Sequence, residues 1–260
     1  MPDAVAPALL EALGLARRRH VHLVGGGGKT TLMFAAARAL AAAGRTVLTT
    51  TSTRILWPAP EDSARVVQGG EAAALVERLR AELAARRHVT VLGPGARGGK
   101  AVGLPLAVLD ALAESGVADH LLVEADGSAG RPLKAHLAHE PVVSARADLV
   151  VAVVGATCLG APMDDAHVHR AALLRERLGR PEGATVAPGD VAEILLGAGG
   201  WLERVAPGTA VAALLNQADT PARLAAARAL AAALRARDGE GRLERIVLGD
   251  VRNSVFEVAG

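Results

Sequence analysis

The run VHLVGGGGKTT at residues 21–31 constrains this chain more than any other stretch. A short apolar segment ends in Gly25, Gly26, Gly27 and Gly28, and Lys29, Thr30 and Thr31 follow at once. The pattern is a strand, a glycine loop and the start of a helix, which is the layout of a phosphate-binding loop. Glycine lets backbone N–H groups come close to an anion, and the helix behind it presents its positive N-terminus. Lys29 supplies a mobile cation for terminal phosphates, and the hydroxyl of Thr30 is placed to ligand Mg²⁺. Nucleotide binding is therefore expected at Gly25, Gly26, Gly27, Gly28, Lys29, Thr30 and Thr31. The spacing is short. A GxxxxGK[ST] motif would begin at Leu23, whereas this run begins at Gly25.

The rest of the chain supplies a sheet to carry such a loop. Strands are expected at His20–Val24, Thr46–Thr50, His88–Leu92, His120–Glu124, Leu149–Val154 and Val211–Leu215, with short ones at 66–67 and 101–104. Helices alternate with them: 3–15, one from the glycine loop to Ala43, 71–86, 105–115, 165–178, 189–197 and 220–237. Arg245–Leu248 and Val255–Val258 are expected as edge strands, and 127–145 as a long loop. Several strands are unbroken apolar runs, which argues for a sheet buried on both faces. The expected fold is α/β, a predominantly parallel sheet with helices on both faces, P-loop NTPase-like. One nucleotide-binding domain spans 1–260, with 1–19 as a helical extension.

Composition narrows the function classes. Hydrophobic residues make up 51% and aromatics only 2%, so Ala, Leu and Val must build the core. A net charge of +2 without a polybasic block argues against nucleic acid as the partner. No apolar run is long and uninterrupted enough to span a membrane, and the N-terminus has no signal pattern. With Cys158 the lone cysteine, no disulfide can form within the chain. The expected location is cytoplasmic. Of 29 basic residues only Lys29, Lys100 and Lys134 are lysines, so each invites a chemical reason where arginine otherwise carries the charge.

Ligands of open α/β sheets sit at the carboxyl ends of the strands. LLVEADG at 121–127 ends an apolar strand in Glu124 and Asp126, which share a face and are expected to point at the glycine loop. One would hold Mg²⁺ and the other orient or deprotonate an attacking group; the alternative is that Asp126-Gly127 is only a turn. Thr51, in the threonine cluster 49–53, is a further candidate metal ligand, against plain strand propensity. LLNQAD at 214–219 resembles the NKxD base-reading motif of GTP-binding proteins, which makes Asn216 and Asp219 candidates for the base, with Gln217 where lysine is usual. Asp219 or Thr220 would equally cap the following helix. The segment RPLKAHLAHEPVV at 131–143 offers Arg131, Lys134, His136, His139 and Glu140. Of these, Arg131, Lys134, His139 and Glu140 are expected to face a second substrate, with Lys134 binding a phosphate or carboxylate. Asp164 or Asp165 is expected to cap the helix that follows, and Cys158 to be a small packed residue.

Taken together, VGGGGKTTLM (24–33), TTTSTRI (49–55), VEADGSAGRPLKAHLAHEPVV (123–143), VVGATCLGAPMDDAHVHR (153–170) and LLNQAD (214–219) resemble the selenium-dependent molybdenum hydroxylase accessory family of the YqeC type. The third segment is the most specific. Ser144 follows HEPVV where proline is expected. The resemblance implies a P-loop protein that serves the maturation of selenium-containing molybdenum hydroxylases, and the residues themselves point to Mg²⁺ and ATP or GTP as its cofactors. Its partners would be the nucleotide and a molybdenum hydroxylase or its cofactor. The catalytic set would be Lys29, Glu124, Asp126 and Lys134, and the metal set Thr30, Thr51, Glu124 and Asp126. Two other readings stand beside an NTPase or nucleotide-dependent transferase. One is a non-catalytic docking module switched by nucleotide. The other is a ligase of the Mur type, whose short G-x-x-G-K-T loop is similar.

Overall fold

The computed structural model describes residues 5–69, 71–198 and 200–260. The glycine loop follows β1 (His20–Gly25), in the middle of a nine-stranded sheet. On one side of β1 lie β8 (His120–Glu124), β2 (Val47–Thr51), β5 (His88–Leu92) and β4 (Val66–Gln68). On the other lie β10 (Leu149–Gly155), β12 (Ala210–Asn216), β13 (Leu243–Asp250) and the edge strand β14 (Val255–Val258). Every pairing is parallel except β13 with β14.

Both faces are covered, as the apolar runs require. Val21, Leu23, Val151 and Val153 point to one face, under α1 (Val5–Leu13) and α2 (Lys29–Ala42). Val24, Val150, Ala152 and Val154 point to the other, under α6 (Pro188–Leu196) and α7 (Pro221–Arg237). Leu48, Leu121 and Val123 carry that second layer on to α3 (Ala72–Ala85) and α4 (Leu106–Glu114). The core is mostly aliphatic, with Phe34 and Trp201 buried in it as aromatics. Helix α1 buries Leu9, Leu10 and Leu13 in the same cluster as α2. The expected helix over 3–15 falls partly on residues 1–4, outside the described residues.

Four details depart from the sequence pattern. The segment expected as an edge strand at 245–248 is the interior strand β13, longer by two residues at each end and paired on both sides. The loop 127–145 contains a two-residue strand, β9 (Leu133–Lys134), paired in parallel with β11 (Val168–His169). That pairing delays the helix expected from 165, and α5 runs over Ala171–Leu178. Asp164 caps only a turn, taking the N–H groups of Ala166 and His167, whereas Asp165 accepts the N–H of Ala171 at the true helix start. Finally β3 (Arg54–Ile55), β6 (Ala96–Arg97) and β7 (Lys100–Val102) form a small antiparallel sheet.

Candidate functional site

The glycine loop is packed between protein backbones. A Cβ on Gly27 would lie 2.2 Å from the Gly155 nitrogen, and Gly27 has φ +79. A Cβ on Gly26 would lie 2.5 Å from the Arg131 carbonyl oxygen. Close approach of β10 and of residues 128–137, which cross the loop as a strap, is thus what excludes side chains here. The amide hydrogens follow the same logic. Gly25 N–H donates to Asp126 (3.0 Å to Oδ2), Gly26 N–H to Val153 O (2.9 Å) and Gly27 N–H to Arg131 O (2.9 Å). The strap is fixed in turn by Gly155 N–H donating to Pro132 O at 2.8 Å. The amides expected to hold phosphate at Gly25, Gly26 and Gly27 therefore hold the protein's own oxygens. Beyond them Gly28 to Thr31 form the first turn of α2, with Gly28 as its left-handed N-cap.

Glu124 and Asp126 both reach this loop, as their shared face predicts. Glu124 Oε2 accepts a hydrogen bond from Thr30 Oγ1 at 2.6 Å. Its carboxyl is raised above the usual range because burial outweighs the Lys29 charge and the Thr30 hydrogen bond. Asp126 has no solvent exposure. Lys29 Nζ stands 3.1 Å from Asp126 Oδ1 and donates to Gly25 O at 2.5 Å. Burial would push the Asp126 carboxyl up, but Lys29, the His136 hydrogen bond and Lys134 together hold it well below the ordinary carboxylate range.

A chain of charges leads away from Asp126 under the strap. His136 Nε2 lies 2.5 Å from Asp126 Oδ2, and burial holds the imidazole below its usual pKa against that carboxylate. In the neutral ring this nitrogen carries the proton and donates it to Asp126. Lys134 is buried, with Nζ 3.4 Å from Asp126 Oδ2 and 3.0 Å from Glu140 Oε1. Glu140 also takes both arms of Arg170, at 2.6 and 3.3 Å, and the Leu137 N–H. Burial opposes these partners, yet they bring the Glu140 carboxyl down to about 2. Lys134 and Glu140, expected on a loop facing a second substrate, are thus paired with each other beneath it. The other two residues expected there lie apart. Arg131 donates to Asp165 O at 2.5 Å, and His139 is exposed.

Thr51 is fully buried; its hydroxyl donates to Glu124 O at 2.7 Å and accepts the Thr53 N–H at 3.1 Å, which fixes the ends of β2 and β8. Asn216 ties three segments together: its Nδ2 donates to Gly27 O at 2.7 Å and its Oδ1 accepts Val251 N–H at 3.0 Å. Asp219 lies at the rim, paired with Arg223 at 2.6 Å, while Thr220 caps α7 by accepting Arg223 N–H. Gln217 sits at φ +63 and accepts from Thr157 Oγ1 at 2.7 Å. Between these groups and the first turn of α2 opens a cleft of about 390 Å³. Gly28, Thr31, Thr157, Asn216 and Asp219 line it, and Asp250, Arg252 and Asn253 close its far wall.

Three elements of this site escape sequence reasoning. The turn at 250–253 carries no motif. Arg170 is distant in sequence from its partner Glu140. His136 stands in the dense loop with nothing to distinguish it from His139. Cys158 behaves as expected of a packed residue: it is buried, and burial pushes its thiol up to about 12.

Known proteins resemble this chain in sequence and in structure. A sequence profile of the family described as "YqeC protein" matches residues 21–172, more than half of the chain and all of the loop, strap and charge chain. The chain belongs to the YqeC family. Within the family, an uncharacterized protein YqeC from Escherichia coli (strain K12) is 36% identical over 97 residues, 37% of this chain and 38% of that protein. The match thus spans well under half the length of that relative. Among solved structures, the hydrogenase maturation factor HypB from Archaeoglobus fulgidus aligns over 97% of this chain and 91% of its own, with a TM-score of 0.39 and 12% identity. The strand order and the loop-to-helix junction are those of an α/β, P-loop NTPase-like fold.

Proposed function

We propose that this YqeC-family chain is an Mg²⁺-dependent nucleotide-binding protein, an NTPase that serves as an accessory factor in maturing selenium-dependent molybdenum hydroxylases. One observation carries the nucleotide reading: the first turn of α2 brings Lys29, Thr30 and Glu124 together at the carboxyl end of the sheet, beside a cleft large enough for a base and ribose. Phosphates would lie on the amides of Gly28–Thr31, with Lys29 turning from Asp126 to meet them. Thr30 and Glu124 suit Mg²⁺, which takes one or two protein oxygens and completes its shell with phosphate and water. The ion would supply charge neutralisation at the phosphates. The nucleotide is ATP or GTP, and the Asp219 carboxylate at the rim is the group that would accept from a guanine edge. Support for the maturation role, with a hydroxylase or its cofactor as partner, comes from family resemblance.

Calorimetry with ATP and GTP in the presence of Mg²⁺ tests this. Lys29→Ala should abolish binding, and unchanged affinity would refute the assignment. A second reading, the nucleotide-switched docking module, is favoured by the burial of Asp126, which the Gly25 N–H and His136 would still hold once Lys29 had turned to the phosphates. Single-turnover hydrolysis by the isolated chain separates the two: an NTPase turns over alone, and a switch does not.

A further inference from the structure

Behind the strap lies a second, much smaller opening. Its lining includes His136 of the strap, Glu140 just beyond it, Arg177 of α5, Trp201 and Arg204. Its volume is about 20 Å³. His136 and Trp201, with ring centroids 6.0 Å apart, also border the closed space behind Gly25 and Gly26. The slot is therefore separated from the glycine loop by a single layer of side chains.

Its charge is unbalanced. Glu140 is the one acid lining it, and that carboxylate is taken by Arg170 and Lys134. Among the described residues, neither Arg177 nor Arg204 has an ion pair or side-chain hydrogen bond, and both are exposed. Glu203, next in sequence to Arg204, borders a different cleft. Two guanidiniums facing one opening without a carboxylate of their own suit an oxyanion, which arginine binds through paired N–H donors. A space of about 20 Å³ holds about one water-sized group. An oxyanion would seat one oxygen there while the rest of the ligand stays outside.

We propose that this slot is a binding site for the terminal oxyanion, phosphate or carboxylate, of a second ligand distinct from the nucleotide. The site deepens the nucleotide reading by giving the second substrate a place, but its occupancy does not depend on that reading. Contacts run from it to the glycine loop through His136, Asp126 and Lys29, at 2.5 and 3.1 Å. The segment first expected to bind this ligand through Lys134 would instead form the wall against which Arg177 and Arg204 hold it.

The test uses Trp201 as reporter in the full chain with Trp57→Phe, which removes the other tryptophan. Inorganic phosphate and acetate are titrated separately, and the more effective anion identifies the terminal group. A saturable change in Trp201 fluorescence is expected, weakened at least tenfold in Arg177→Gln/Arg204→Gln, with nucleotide affinity in that variant within twofold of the parent. Both arginines are exposed, so the fold should survive, and circular dichroism checks it. No saturable response to either anion, or an equal response in the double variant, overturns the proposal. Failure of ATP and GTP to bind the parent chain would count against the nucleotide reading alone.

Discussion

Lys134 offers the sharpest test of the buried charge chain. Its ammonium lies 3.0 Å from Glu140 and 3.4 Å from Asp126, with no solvent to replace it. Removing one member of a buried ion pair costs about 3–5 kcal/mol, because the partner is left charged in a poorly solvating site. Here each carboxylate keeps other cations, Arg170 for Glu140 and Lys29 for Asp126, so the lower end applies. Lys134→Met keeps most of the stem and removes the charge, and should cost about 3 kcal/mol. For a chain of this size each kcal/mol lowers the melting temperature by about 2–4 °C, which gives a fall of roughly 6–12 °C. Lys134→Ala should fall further, since it also opens a cavity. Thermal unfolding followed by circular dichroism measures both, with exposed His139→Ala as the control that should not move. A Lys134→Met melting point within about 2 °C of wild type would show that the ammonium does not hold these carboxylates together. It would restore the simpler picture of a lysine waiting for a substrate.

Other consequences can be checked with equally plain measurements. His20, His22, His88, His120 and His136 all sit below the ordinary imidazole pKa, chiefly through burial. Below about pH 6.5 the unfolded chain binds protons that the folded one refuses, so stability is full above that pH and falls as pH drops. His88, lowered to about 4, alone should account for about 2 kcal/mol between pH 7 and pH 5. Glu124, whose carboxyl burial raises, works in the opposite sense. Urea denaturation at the two pH values gives the difference, and equal midpoints would contradict neutral buried histidines. Cys158 should resist a thiol reagent in the native protein and react fully in denaturant; rapid native labelling would contradict its burial. Gly27→Ala should cost about 3 kcal/mol or more, through both positive φ and collision with Gly155, and appear as loss of soluble protein or a collapsed melting point.

The sheet was legible because its strands are buried on both faces, so runs such as LVVAVV carry their own signature. The loop-to-helix junction was legible because glycine and lysine at that place have few other uses. The pairing of Glu124 and Asp126 toward the loop followed from strand alternation. What could not be read was the partner of each charge. Lys134 looked like a ligand-binding residue because it is rare and sits among polar neighbours, yet β9 turns it inward against Asp126 and Glu140. That depends on β11, some thirty residues later, and no local pattern announces a two-residue pairing. The wall at 250–253 was invisible for a similar reason: it is placed by Asn216 reaching across from β12.

The occupied amides of Gly25, Gly26 and Gly27 have a kinetic meaning. Four consecutive glycines suggest a segment that must be ordered by its ligand, at an entropy cost of about 1–2 kcal/mol for each residue. In this chain those bonds form when the protein folds, so a ligand meets a rigid rim. Hydrogen exchange should report it directly. The amides of Gly25–Gly27 should be protected before any nucleotide is added and change little afterwards, while protection gained on binding should be confined to the first turn of α2. Association would then be governed by the release of one buried lysine side chain from Asp126 rather than by the search of a flexible loop.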